Sequence, residues 1–386
     1  MKFGHFWGDI LKIKNIELLN YRNYESLNLE FSDNINIIIG NNGEGKTNIL
    51  ESIYLLSLTK SNRYGVDQDL IKFGKESYKV SGNVEDDGLV KKYGIVYENN
   101  KKNVLINNKV IRRFVDYISQ FCVISFEPND LEIVKGSPGD RRNYLNIEIS
   151  QLYNTYVLYL NDYNKLLKIR NNYLKNMNIS GNMDPRLLDV INEKLIEKAL
   201  VIYKYRFDYI KEINEKIGDV FKKITGLENL RVVYEHNLGV EDYDEEAIKN
   251  KLIDKFKRHF KQELMLGNTI TGPHRDDFLF SLNDEDMKLF SSQGQQRMAI
   301  ISFKLCELFL YQKVKKSYPV LLLDDVFSEI DIKKRNKIIR FLKKDIQVII
   351  TTTDVEDIDK KLLEKAKIFT IKNGIIKTKG GIKNGK

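Results

Sequence analysis

Apolar and polar residues alternate over Leu27–Ser32, and a β-branched run follows at Ile35–Ile39 between Asn34 and Gly40. Both stretches predict strands. The period then lengthens. Ile49, Leu50, Ile53, Tyr54 and Leu56 recur at helical steps. From Tyr78 to Val110, short apolar runs (Tyr78–Val84, Tyr93–Tyr97, Val104–Ile106) are separated by Gly-, Asp- and Asn-rich turns. That pattern predicts a small antiparallel sheet, with Asn107-Asn108 as a tight turn.

The character changes near Arg141. Leu145, Ile149, Leu152, Tyr156, Leu160, Tyr163 and Leu167 step by threes and fours, which predicts one long helix over 141–175. A polar break at Asn176–Pro185 separates it from a second helical pattern, Leu187–Phe221, through Ile191, Leu195, Ala199, Ile202, Tyr205, Tyr209, Ile213 and Ile217. The two should pack as an antiparallel pair. Their tyrosines and lysines either fill the seam and its solvated flank or meet bases and phosphates. The α/β character returns near Asn268. Strands are expected at Val320–Leu323, Ile346–Ile350, Ile368–Ile371 and Ile375–Lys377. Met1–Ile10 reads as an extension before the fold begins near Ile13, and the Lys-rich tail after Lys377 as mobile.

Composition narrows the class. The chain has 386 residues, 42% apolar and 30% charged, enough for an α/β core and two or three domains. Net charge is +9 with a pI near 9.0. This suits a polyanionic partner such as nucleic acid, or an evenly solvated Lys-rich surface. Basic clusters (Arg112-Arg113, Arg141-Arg142, Lys222-Lys223, Lys255–Arg258) are scattered, and each taken singly is a solvated charge. Cys122 and Cys306 lie far apart in apolar stretches, so neither a zinc site nor a disulfide framework is expected. No stretch reaches the roughly 18 apolar residues of a membrane span, and the start has no secretory signal pattern. A cytoplasmic location is expected.

The chemistry lies in four short segments. Gly40-Asn41-Asn42-Gly43-Glu44-Gly45-Lys46-Thr47 fits the full G-x-x-x-x-G-K-[ST] pattern between a strand and a helix. Its backbone N–H groups cradle a β-phosphate. Lys46 reaches the β- and γ-phosphates, and the Thr47 hydroxyl is a candidate Mg²⁺ ligand. Val320-Leu321-Leu322-Leu323-Asp324-Asp325 is the matching Walker B pattern, expected on a strand beside the phosphate-loop strand. Asp324 would hold Mg²⁺ through a water, and Asp325 would orient or deprotonate the attacking water. Leu321 lies 275 positions after Lys46, so the head must fold from both chain ends around an insertion.

Ser291-Ser292-Gln293-Gly294-Gln295-Gln296-Arg297 precedes a helical pattern. Ser292 fits an N-cap, Gly294 permits close backbone approach, and with Gln295 they form a second anion-binding surface. The segment resembles the signature motif of the ABC ATPases, where it faces the γ-phosphate held by a second subunit. Ser328-Glu329-Ile330-Asp331 resembles their D-loop. Thr352 or Thr353 stands where transporters carry a γ-phosphate-sensing histidine.

Together these segments resemble the RecF family of bacterial DNA replication and repair ATPases, relatives of the SMC proteins. More particular marks are Asn20-Tyr21-Arg22-Asn23-Tyr24, Lys60-Ser61-Asn62-Arg63, Phe126-Glu127-Pro128-Asn129-Asp130-Leu131, Lys135–Arg142 and Gly272-Pro273-His274-Arg275-Asp276-Asp277. The resemblance runs from about Ile13 to near Lys377. It implies an ABC-type P-loop ATPase head of α/β class, formed by residues 1–140 and 266–386, with an inserted helical arm at 141–265. It also implies ATP-dependent homodimerisation, weak ATPase activity with Mg²⁺, binding of single-stranded and gapped DNA, partners of the RecR and RecO type, and a part in recombinase loading and the SOS response. Arg22 would sit near the phosphates, Arg63 would contact nucleotide, and Asp130 would lie near the metal. In the family a His more often stands where this chain has Asn62. The rival reading is a transporter's nucleotide-binding subunit. It predicts a switch histidine and a shorter helical subdomain, where this chain has threonines and a long helical pair.

Overall fold

A computed structural model describes residues 11–63, 65–180, 184–328, 330–342, 346–354, 363–372 and 375–379. Residues 1–10, Glu329, most of the tail after Lys377 and the centre of the polar break at 176–185 lie outside them. The chain divides into two compact units. The first comprises Met1–Asp130, Lys223–Gly226 and Ile301–Lys386, and the second Leu131–Lys222 and Leu227–Ile300.

The first unit holds a six-stranded sheet. Its order is Ile375–Lys379, Lys367–Lys372, Ile35–Ile39, Val348–Thr352, Val320–Asp324, Val123–Phe126. All neighbours are parallel except the antiparallel edge pair formed by the first two. Ile37, Leu321, Leu322 and Ile349 are fully buried, as continuous apolar runs in a parallel sheet should be. Strands from both chain ends therefore share one sheet, as the motif spacing requires.

The expected adjacency of the two motif strands is wrong. Val348–Thr352 lies between them, pairing Thr352 with Ile39 on one side and Ile350 with Leu323 on the other. An apolar run reports burial on both faces and carries no information about which strand lies beside it.

The expected antiparallel sheet is present and is larger than predicted. It is a seven-stranded sheet that takes in Asn15–Tyr21 and Tyr24–Glu30 as well as Tyr78–Asp86, Leu89–Glu98 and Lys101–Ile106. Asn107 and Asn108, at φ 49° and 64°, turn the chain from Ile106 to Lys109 in the left-handed conformation that asparagine tolerates.

The second unit is helical. The expected helix at 141–175 is two, Pro138–Leu152 and Asn154–Ser180, separated by an extended Tyr153 (φ −133°, ψ 102°). The second pattern is Pro185–Asn214 followed by Ile217–Thr225. Antiparallel packing of the two long helices is borne out. Tyr173 meets Asp184, Arg170 meets Asn192 and Thr155 meets Tyr205. A third long helix, Glu245–Leu266, was not expected. Its Phe256 lies under the Arg170 guanidinium at 4.4 Å, and its Glu263 accepts from Arg170 at 2.6 Å, with both charged side chains fully buried. The strand Asp277–Leu282 pairs antiparallel with Leu230–Glu235. That pairing ties residues beyond 265 to the arm, so the second unit is wider than 141–265. It includes Ser292 and the first turns of the helix Gln293–Lys315.

Candidate functional site

The phosphate loop leads from the strand Ile35–Ile39 into the helix Lys46–Leu58. Gly45 stands at φ 100°, and a Cβ there would lie 2.5 Å from the Asn23 amide and 2.6 Å from the Tyr24 hydroxyl. A Cβ on Gly40 would lie 2.9 Å from the Ile371 carbonyl oxygen. The backbone path is thus open only to glycine at these points. No side chain caps the helix, so its first N–H groups are left for an anion.

Lys46 Nζ donates to the carbonyl oxygens of Gly40 (2.6 Å) and Asn41 (2.9 Å). Burial lowers its pKa, opposed by the carboxylates of Asp325, Asp324 and Glu44. A phosphate would exchange two neutral partners for an ionic one. Glu44 folds back to accept from the Asn41 N–H at 2.8 Å, while Asn42 and Gly43 are exposed.

Thr47 and Asp324 meet across 277 positions of sequence. The Thr47 hydroxyl donates to Asp324 Oδ1 at 3.0 Å. Thr351, on the strand between them, donates to the same oxygen at 2.6 Å. This oxygen-only donor set suits Mg²⁺. Among the described residues no group of three His, Cys, Asp or Glu side chains could hold a metal unaided. A divalent ion here would therefore draw its remaining ligands from phosphates and water. Asp325 sits in the left-handed region (φ 52°), its N–H directed at the Thr351 carbonyl (3.3 Å) and hydroxyl (3.1 Å).

Of the three threonines, Thr351 is thus the one that reaches the acidic pair. Thr352 forms a local turn with Asp354, and Thr353 is exposed. The sequence pointed to Thr352 and Thr353. Thr351 could have been found only by knowing that its strand lies beside Asp324.

Asp130 accepts from Lys304 Nζ at 2.6 Å and from the Glu127 N–H at 2.7 Å. Glu127 was missed as a site residue. Burial, and then the charge of Asp130, push its pKa up to about 7, against the pull of Lys304, and Asp324 adds to the rise. The Asn62 amide donates to its carboxylate. Arg22 is committed elsewhere. Its guanidinium grips the buried Glu51 at 2.8 and 2.9 Å and the Asp69 carbonyl at 2.6 Å. Arg63 is exposed in the segment after the helix.

In the second unit the N-cap reading of Ser292 is borne out. Its hydroxyl accepts from the Gln295 N–H at 3.3 Å, and the Gln295 side chain accepts from the Ser292 N–H at 2.9 Å. A Cβ on Gly294 would meet nothing within 4 Å.

Residues 12–377 match the family model for the RecF/RecN/SMC N terminal domain. A DNA replication and repair protein RecF of Listeria monocytogenes serotype 4b is 36% identical over 368 residues, covering 95% of this chain and 100% of that one. The chain belongs to the RecF family. A RecF of Lactobacillus johnsonii is 37% identical over 370 residues, covering 95% of this chain and 99% of the other. The solved structure of a recombination mediator RecF with ATP, in the RecFOR pathway, superposes with a TM-score of 0.90 at 33% identity, over 98% and 100% of the two chains. An Smc head from Pyrococcus furiosus shares the fold at a TM-score of 0.55 and 15% identity, over 96% of each chain. The RecF family is one of DNA replication and repair proteins with an ABC-type head. The transporter reading finds no support in these relatives. No described helix is long and apolar enough to cross a membrane.

Proposed function

We propose that the chain is an ATP-gated DNA clamp. Two copies close when the nucleotide on each phosphate loop meets Ser292, Gly294 and Gln295 of the other, and open again after slow hydrolysis. The observation that carries this reading is the Thr47–Asp324 contact, which joins both motifs into one oxygen-lined site beside Lys46. The open face of Gly294 supports completion by a second copy, because nothing within 4 Å in this chain would crowd a side chain there. Lys46 would bind the phosphates, Thr47 and Asp324 would hold Mg²⁺, and Asp325 would orient the attacking water. When bound, the ion would neutralise charge on the phosphates. Arg22, fixed by Glu51, would shape the loop from behind, and Arg63, exposed after the helix, would contact the nucleotide from the surface.

The ligands are proposed to be single-stranded and gapped DNA, and the partners RecR- and RecO-type repair proteins. The support is the net charge of +9 and the family's repair role. Binding to gapped, duplex and single-stranded DNA, with and without ATP at one stated salt, tests the reading. ATP should strengthen binding to at least the gapped substrate. An absence of any nucleotide effect on all three would overturn it.

A further inference from the structure

Each basic cluster noticed in the sequence has one member held in a local ion pair. Arg113 pairs with Asp116, Lys222 with Glu228 and Arg258 with Asp254. Arg141 is held bidentate by Asp277 at 2.6 and 2.7 Å. Arg142 is half-buried beside this ion pair. One Nη1 hydrogen goes to the Asp276 carbonyl at 2.8 Å, and among the described residues no carboxylate forms an ion pair with its guanidinium.

Arg142 lines a cavity of about 210 Å³ within the second unit, together with the exposed Asn143 and Asn164 and with Arg206, Tyr163 and His274. Arg206 is 2% exposed. Its five donors reach Tyr156, Tyr234, the Pro273 carbonyl and Asn146, which leaves one Nη2 hydrogen uncommitted. Asn146 accepts through Oδ1 from both Tyr156 and Arg206, so its Nδ2 hydrogens have no protein acceptor.

The acceptors on the buried side of this cavity are committed. His274 Nε2 donates to the Thr269 carbonyl, which can only accept, so Nδ1 is the acceptor and takes the Tyr163 hydroxyl at 2.6 Å. Asp276 accepts from Tyr234 at 2.6 Å and lies 3.6 Å from Arg206. The charges of Arg275, Arg142 and Arg206, after burial itself, help hold His274 neutral, with a pKa of about 4. What remains is a small recess with spare donors and the positive charge of Arg142 and Arg206.

We infer that this recess is a phosphoryl-anion site, separate from the phosphate loop, in which Arg142, the free Nη2 hydrogen of Arg206 and Asn146 Nδ2 donate to one tetrahedral anion. A cationic ligand would face the Arg142 and Arg206 charges. The volume accommodates a phosphoryl group and lies below the ~300 Å³ at which ordinary ligand pockets begin. The anion could come from a nucleic-acid backbone or from free phosphate. Only the first source rests on the DNA-binding reading above.

The test uses the full chain carrying Lys46→Ala, which removes phosphate binding at the loop. Inorganic phosphate is titrated calorimetrically into this protein and into the same protein with Arg142→Ala or Asn146→Asp. Asn146→Asp keeps the two accepted bonds and turns the donor into an acceptor, so the local fold is retained. Each change should weaken phosphate binding about tenfold or more, as expected for lost hydrogen bonds to a charged group. Gapped duplex is then titrated across salt with the same variants on the natural Lys46. If the recess takes a backbone phosphate, DNA binding weakens and the log–log salt slope falls by about 0.9. If it takes free phosphate, only the phosphate titration changes. Phosphate that fails to bind, or binds equally well to all three proteins, overturns the site. DNA that binds none of them while phosphate behaves as expected removes the clamp reading and leaves the site standing.

Discussion

The two units bury charge in different ways. In the first, Lys46 is 6% exposed and held by two backbone carbonyls of its own loop. In the second, Arg170 and Glu263 are both fully buried and hold each other, with Asn192 and Thr269 completing the arginine's bonds. Lys46 has neutral partners that a ligand can replace. Arg170 has an ionic partner that nothing needs to replace. Burial of a cation therefore does not by itself mark function, and the nature of its partners does.

Glu263→Ala should separate the two cases most sharply. It strands a fully buried guanidinium, so about 3–5 kcal/mol of stability should be lost by urea unfolding. A loss under about 1 kcal/mol would mean that the pair is not fixed. Lys46→Arg should unfold at nearly the native urea midpoint yet weaken nucleotide binding by about 2–3 kcal/mol, because a planar fork does not fit a site shaped for an ammonium. In sedimentation with ATP it should stay monomeric. Ser292→Arg should bind ATP normally and also stay monomeric; a dimer in that run would count against completion of the site by a second copy. Thr351→Val removes one hydroxyl from Asp324 and should weaken nucleotide binding by about 1 kcal/mol with Mg²⁺ present. An equal loss in chelator would point instead to a general packing defect.

The smallest change at neutral pH is expected for His274→Gln. His274 has a folded pKa of about 4 against 6.5, lowered first by burial. Between those values the unfolded chain gains a proton that the folded chain does not, so the histidine's contribution is present above pH 6.5 and lost as pH falls toward 4. Asp276 runs the other way. Burial pushes its pKa up to about 6 from 3.8, so its contribution is present below 3.8 and lost as pH rises through 6. In the native protein these slopes oppose each other between pH 4 and 6. The stability gap between native protein and His274→Gln should therefore narrow as pH falls from 6.5 to 4, and a constant gap would show that His274 is not held neutral.

Local chemistry was legible wherever it depends on neighbours in sequence. The loop from Gly40 to Thr47, the cap at Ser292 and the turn at Asn107-Asn108 are each dictated by residues within a few positions. The break at Tyr153 was not legible, because apolar spacing continues through it from Leu152 to Tyr156. The helix Glu245–Leu266 was missed because its buried positions Ile248, Leu252 and Phe256 are diluted by charged residues. Its most buried charge, Glu263, has its reason in Arg170, 93 positions earlier.

By itself, the sequence determined that a phosphate loop and an acidic strand end, far apart along the chain, belong to one ATPase head, because both motifs need only a short backbone path and a few side chains. Only the tertiary structure decided that Thr351 reaches Asp324, that Arg22 is committed to Glu51, and that Arg142 keeps spare donors beside a recess. Each of these turns on which strand or helix lies alongside another. Hydrophobic patterning specifies that a face is buried and leaves its neighbour to the packing of the whole chain.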